Sequence, residues 1–112
     1  MSRRDDQRLE DIVAAATAIS AHLRRGTLDD GMVFDAVRVR LIEIGEAVRT
    51  ITPEVLALEP DIAWVDVAGM RNHLAHRYFD AHAIVQATID HDLPPLVAAV
   101  ERLLDRGSIN EA

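Results

Sequence analysis

The 112-residue chain reads as an all-α protein, an up-and-down bundle of four main helices with an extra short helix. Two observations predict this. Hydrophobic residues make up 49% of the chain but aromatics only 4%, so the core must come from Leu, Ile, Val and Ala. That supply suits helices packed on helices better than a β-sandwich, which draws on aromatic and β-branched residues. The apolar residues also recur at steps of three and four, the spacing of one helix face. The length suits one domain with one modest core, residues 1–112, with 1–6 and 108–112 flexible. No internal repeat, low-complexity segment or linker interrupts it.

Each element has its own signal. From about Asp6 to Arg25, Leu9, Ile12, Val13, Ala16, Ile19 and Leu23 form one stripe, and Gly26 is a natural stop. Thr27-Leu28-Asp29-Asp30 resembles an N-cap with acids in the first turn. The second helix then runs to about Thr50 on Phe34, Val37, Leu41, Ile44, Val48 and Ile51, with Arg38, Arg40, Glu43, Glu46 and Arg49 on its polar side. Thr52-Pro53 opens a short helical turn through Leu58, which Glu59-Pro60-Asp61 breaks. A third main helix starts near Asp61 or Ile62. A fourth runs from Ala81 to about Asp90, and Asp92-Leu93-Pro94-Pro95 interrupts the pattern. A last helix follows, ended by Gly107. A small bundle with an apolar stripe on every helix often hides one stripe in a homodimer.

Composition excludes several functions. The chain has no cysteine, so it has no disulfide and no cysteine metal site. The start, Met-Ser-Arg-Arg-Asp-Asp, leads into no apolar stretch, and no apolar run reaches the roughly 18 residues a membrane helix needs. A cytoplasmic protein without membrane contact is therefore expected. The net charge is −7, the opposite sign to a broad nucleic-acid-binding surface, although a small local site can still hold RNA.

The chemically dense stretch is Gly69-Met70-Arg71-Asn72-His73-Leu74-Ala75-His76-Arg77-Tyr78, on the third main helix. At about 100° per residue, Trp64, Met70, Leu74 and Tyr78 share a face with Val67, and Arg71 lies on it too. Val65, Gly69, Asn72 and His76 take the opposite side, and His73 and Arg77 flank. Two such faces imply that both are covered. Gly69 inside a helix costs roughly 0.5–1 kcal/mol relative to Ala, which close approach of a backbone or ligand would explain. Ordinary structural roles stand beside the functional ones. Arg71 can pair with Glu43 or Glu46, His76 can be a packing residue, and Tyr78 can be core edge. His73 and His76, with His82 or His91, hint at metal, but no carboxylate has the spacing to support it, so neither metal nor cofactor is expected.

Arg71-Asn72-x-x-x-His76-x-Tyr78 resembles the R-x4-H-x-Y motif of the HEPN superfamily, specifically its HepT-like toxins. Ile44-Gly45-Glu46-Ala47, Trp64 and Leu93-Pro94-Pro95-Leu96 follow the same family pattern in the same order, so the resemblance covers nearly the whole chain. It implies a HEPN-like bundle that dimerises so that two motifs line one cleft. The implied activity is a metal-independent endoribonuclease, the toxin of a type VII toxin–antitoxin system. Its partner would be a minimal nucleotidyltransferase antitoxin encoded nearby, which silences it by AMPylation of Tyr78.

The residue chemistry agrees. Metal-free RNA cleavage needs a base for the ribose 2′-OH, an acid for the leaving 5′-oxygen and positive charge on the phosphorane. His76 is the acid or base and Arg71 the phosphate ligand, while Asn72, His73 and Glu46 support or orient. On an ideal helix Arg71 and His76 point about 140° apart, so either the helix distorts or the site is shared between subunits. A different class also fits the acidity: a non-catalytic helical dimer that binds a nucleotidyltransferase. A weaker third reading is a nucleotide-binding module without turnover.

Overall fold

The first helix, α1, spans Arg3–Arg25 and starts three residues earlier than its apolar period suggests. In the computed structural model, which describes the backbone of residues 1–76 and 81–111 and the side chains of 1–75 and 82–107, Ser2 is the N-cap, its hydroxyl accepting from the Asp5 N–H at 3.0 Å. α2 spans Gly31–Arg49. Asp30 caps it by accepting from the N–H groups of Met32 and Val33 at 2.9 and 3.4 Å. The acids near its start therefore lie in the turn ahead of the helix and not in its first turn, because Thr27 and Asp29 are spent on that turn.

The short α3 is Pro53–Leu56, with proline at its first position as the sequence predicts. α4 spans Trp64–His76. It begins later than Asp61, since that stretch forms a turn in which Glu59 O accepts the Ile62 N–H. α5 (Ala81–Ala87) does not break before the prolines. A π-helical turn, Thr88–Asp92, carries the helical backbone directly into α6, Leu93–Glu111. The reason is local. Pro94 and Pro95 have no N–H for the carbonyls of Asp90 and His91, and the chain widens so that Leu93 N–H reaches Thr88 O, five residues back. Gly107 does not end α6. It is buried where that helix crosses the start of α1, and an added Cβ would stand 2.6 Å from Met1 Cε.

The helices pack as the predicted all-α bundle, 45 × 25 × 21 Å in extent. α2 lies between α1 and α4, and α6 packs on α1. Leu9, Ile12, Ile19, Leu41, Ile44, Leu74, Val100 and Leu103 are fully buried and join one aliphatic core, while Phe34 and Leu23 from the predicted stripes stay half-buried at its edge. Asp5 is the buried carboxylate, 3% exposed. Its two oxygens accept from the Thr52 N–H at 3.0 Å and the Thr52 hydroxyl at 2.8 Å, which ties the start of α1 to the cap of α3. No helix among the described residues is long and apolar enough to cross a membrane.

Candidate functional site

Three contacts hold α4 where it can present a site. At its start, the Trp64 indole N–H donates to Glu59 O at 3.0 Å, and Arg102 of α6 grips the Glu59 carboxylate through Nη2 at 2.6 Å. The hydrogen bond from Arg102 holds that carboxyl below its usual range. In the middle, α4 lies backbone-close on α2. A Cβ on Gly45 would be 2.9 Å from Val67 O and 3.3 Å from the Arg71 nitrogen, so only glycine lets the two helices approach this far. Near its end, Arg38 Nε donates to Leu74 O at 2.8 Å, and Leu74 is fully buried.

The packed side of α4 is thus the face that begins at Trp64 and runs through Val67, Met70 and Leu74. The opposite face is open within one chain. Val65 is 85% exposed, and a Cβ added at Gly69 would meet nothing within 4 Å. Within one chain α4 is thus covered on one side only, and the close approach between helices falls at Gly45, while Gly69 faces open space. Asn72 and His73 are exposed on the uncovered side.

Arg71 leaves the packed face for the surface. Its Nε stands 3.1 Å from Glu46 Oε2, with both side chains about half exposed. Of the two partners open from sequence, Glu46 is the one; Glu43 pairs with Arg40 on its own helix at 3.1 Å. Glu46 Oε1 also accepts from Arg49 Nη2 at 3.0 Å. One carboxylate therefore serves two guanidinium groups. Glu46 Oε2 is sealed from solvent and accepts no aligned hydrogen bond, so Arg71 neutralises it by charge alone. Arg71 engaged through Nε keeps the paired Nη1 and Nη2 fork for an anion, the geometry that matches two phosphate oxygens.

The structure brings Arg71 and Glu46 together across α2 and α4, while Asn72 and His73 are exposed on the uncovered side of α4. The backbone of His76 closes α4, its side chain lies outside the described residues, and so does the whole of Tyr78. α4 is regular from Arg71 to His76, without a π or 3₁₀ interruption, so the distortion considered from sequence does not occur there. His82 is accounted for by packing: its ring stacks on Phe34 at 5.9 Å and its Nε2 faces Asp29 at 3.5 Å. Among the described residues, no three His, Asp or Glu side chains gather as metal ligands do.

Sequence reasoning missed Gly45 and Arg38 as the residues that seat α4. Glycine at the centre of an apolar seam was the available signal for the first. The second carried none, since its acceptor is a main-chain carbonyl on another helix.

The all-α bundle, with Arg-Asn-x-x-x-His on α4, is that of a HEPN-superfamily protein. More narrowly, the chain belongs to the HepT-like ribonuclease family, whose description, "Ribonuclease HepT-like", matches residues 7–103. It is similar to "Probable ribonuclease HepT" of Thermococcus cleftensis, 32% identical over 108 residues, which cover 92% of this chain and 98% of the relative. It is also similar to "Putative RNase TTE0752" of Caldanaerobacter subterraneus subsp. tengcongensis, 36% identical over 70 residues, 61% of this chain and 62% of the relative. No solved structure matches the chain significantly.

Proposed function

We propose that this protein is a metal-independent endoribonuclease, the toxin of a type VII toxin–antitoxin pair that acts in the cytoplasm. Its site is shared by the two subunits of a homodimer. The observation that carries the reading is the Arg71–Glu46 pair, which holds a surface arginine by one nitrogen and leaves its fork for a phosphate. The family membership and the names of the relatives support the same chemistry.

In the reaction one His76 takes the proton of the ribose 2′-OH, the 2′-oxygen attacks phosphorus, and a second His76 gives a proton to the leaving 5′-oxygen. The products are a 2′,3′-cyclic phosphate and a 5′-hydroxyl. Arg71 balances the charge that builds on the phosphorane oxygens. Asn72, one turn before His76, orients the imidazole or the substrate, and His73 flanks the same cleft. A regular helix sends Arg71 and His76 of one chain about 140° apart, which supports a site completed by the second subunit. The open face around Val65 and Gly69 is the surface on which that subunit sits. The antitoxin is a minimal nucleotidyltransferase. It transfers AMP from ATP to the Tyr78 hydroxyl with release of pyrophosphate, which adds bulk and negative charge beside the phosphate site.

Purified protein incubated with RNA tests this. His76→Ala is expected to lose cleavage, and equal activity in that variant and wild type would overturn the reading. Arg71→Ala is also expected to be inactive alone. Mixed with wild type and allowed to exchange subunits, His76→Ala is expected to lower activity more than in proportion to its share, because a mixed dimer keeps only one of the two histidines that the reaction uses. For the switch, mass spectrometry after co-expression with a neighbouring nucleotidyltransferase is expected to show a gain in AMP units that Tyr78→Phe abolishes. The net charge of −7 favours a non-catalytic binding partner as the second reading. Growth arrest that requires Arg71 and His76 on expression of this gene alone separates the two.

A further inference from the structure

Glu46 does two opposed things to the proposed RNA site. It holds Arg71 by Nε, and it cancels the charge that would attract a phosphate. An Arg71–Glu46 pair alone is neutral, on a chain whose net charge is already −7. Arg49 changes this. Its Nη2 binds the other oxygen of the same carboxylate at 3.0 Å, so the three-residue cluster carries a net charge of one positive.

Arg49 is poorly explained by stability. Its side chain is 61% exposed and its pair with Glu46 is a surface i,i+3 contact, a kind worth about 0–1 kcal/mol. Other paired surface cations bind other carboxylates: Arg8 pairs with Asp11, Arg40 with Glu43, and Arg102 with Glu59. Arg49 alone among these shares a carboxylate with Arg71, which sets the two guanidinium groups on either side of Glu46.

We propose that Arg49 is a second phosphate-binding residue of the RNA site, restoring through the shared carboxylate the positive charge that Glu46 takes from Arg71. Glu46 is then a positioning residue: it sets the direction of Arg71 and weakens RNA binding in doing so. The proposal rests on the ribonuclease reading above and makes a sign-opposed prediction that mere structural roles do not.

The experiment uses the full chain carrying His76→Ala, so that RNA is bound without being cut. Its readout is fluorescence anisotropy with a labelled single-stranded RNA oligonucleotide across a salt series. Adding Arg49→Ala is expected to weaken binding about tenfold and to flatten the log–log salt slope by about 0.7, the value for one phosphate contact on a single strand. Adding Glu46→Gln is expected to tighten binding. The double change Arg49→Ala with Glu46→Gln is expected to return affinity to near the starting value, because net charge is restored. In the otherwise native chain, Glu46→Gln is expected to lower kcat without raising KM.

Arg106→Ala on α6, which packs on α1, removes the same charge from a helix that carries none of the proposed site residues and is expected to change neither affinity nor slope. Unchanged binding on Arg49→Ala overturns the proposal. So does an equal loss on Arg106→Ala, or no RNA binding by the His76→Ala chain. Circular dichroism of each variant separates misfolding from lost contact. A failure of the ribonuclease reading shows independently, as equal cleavage by wild type and His76→Ala.

Discussion

Asp5 shows how one side chain can hold two elements together. Burial alone would raise its carboxyl, but hydrogen bonds from the Thr52 N–H and hydroxyl, with help from Ser2, outweigh that and hold it below the ordinary value of 3.8. Asp5→Ala strands both Thr52 donors and is expected to cost roughly 1.5–3 kcal/mol in urea denaturation. The lowered carboxyl also sets a sign. Its contribution is complete above the ordinary carboxylate value and is lost as pH falls through the lowered one. Wild type is therefore expected to lose stability between pH about 4 and the acid limit more steeply than Asp5→Ala, and parallel curves would contradict the assignment. At the site the informative residue is Glu46. Its pairing with Arg71 was one of two options in sequence, and only the crossing of α2 and α4 selected it over Glu43.

Two glycines separate what α4 does inside the chain from what it does outside. At Gly45 a methyl group would press on Val67 O and the Arg71 nitrogen, both main-chain atoms that cannot swing away. Gly45→Ala is expected to push α4 off α2, to cost roughly 1–3 kcal/mol and to reduce RNA cleavage through the displaced Arg71. At Gly69 a methyl group meets nothing in the chain. Gly69→Ala is expected to stabilise the isolated fold by roughly 0.5–1 kcal/mol, read as a rise in thermal midpoint at low concentration, while weakening self-association. A stabilised fold with unchanged association would remove Gly69 from the proposed interface. Further along, the π-helical turn explains how a Pro-Pro pair continues a helix: the freed carbonyls belong to a widened turn instead of a break.

For the whole molecule, the proposed dimer rests on the exposed face of α4. Val65 at 85% exposure costs an unpartnered chain apolar contact with water, and it sits on the side that carries Gly69 and Asn72. Val65→Glu leaves the core untouched and places charge on that face. Analytical ultracentrifugation is expected to show a dimer for wild type and a monomer for Val65→Glu, with RNA cleavage lost together with the dimer. A monomer that cleaves RNA as fast as wild type would refute the shared site.

The sequence by itself determined the helical bundle, the seams on α1 and α2 and the residues of the motif, because helix periodicity and residue chemistry are local properties. Its motifs also resemble those of the HepT-like family over nearly the whole chain. It missed where helices end at Gly107 and at Pro94-Pro95: α6 continues through Gly107, which is buried against the side chains of Met1 and Asp6, and it continues from α5 because a wider turn absorbs the prolines. Only the tertiary structure decided that Gly45 and not Gly69 is the point of close approach, that Arg71 answers to Glu46, and that Arg49 shares that carboxylate. Each of these is a relation between helices far apart in the chain, or follows from one. Packing geometry, not residue spacing, fixes such distances.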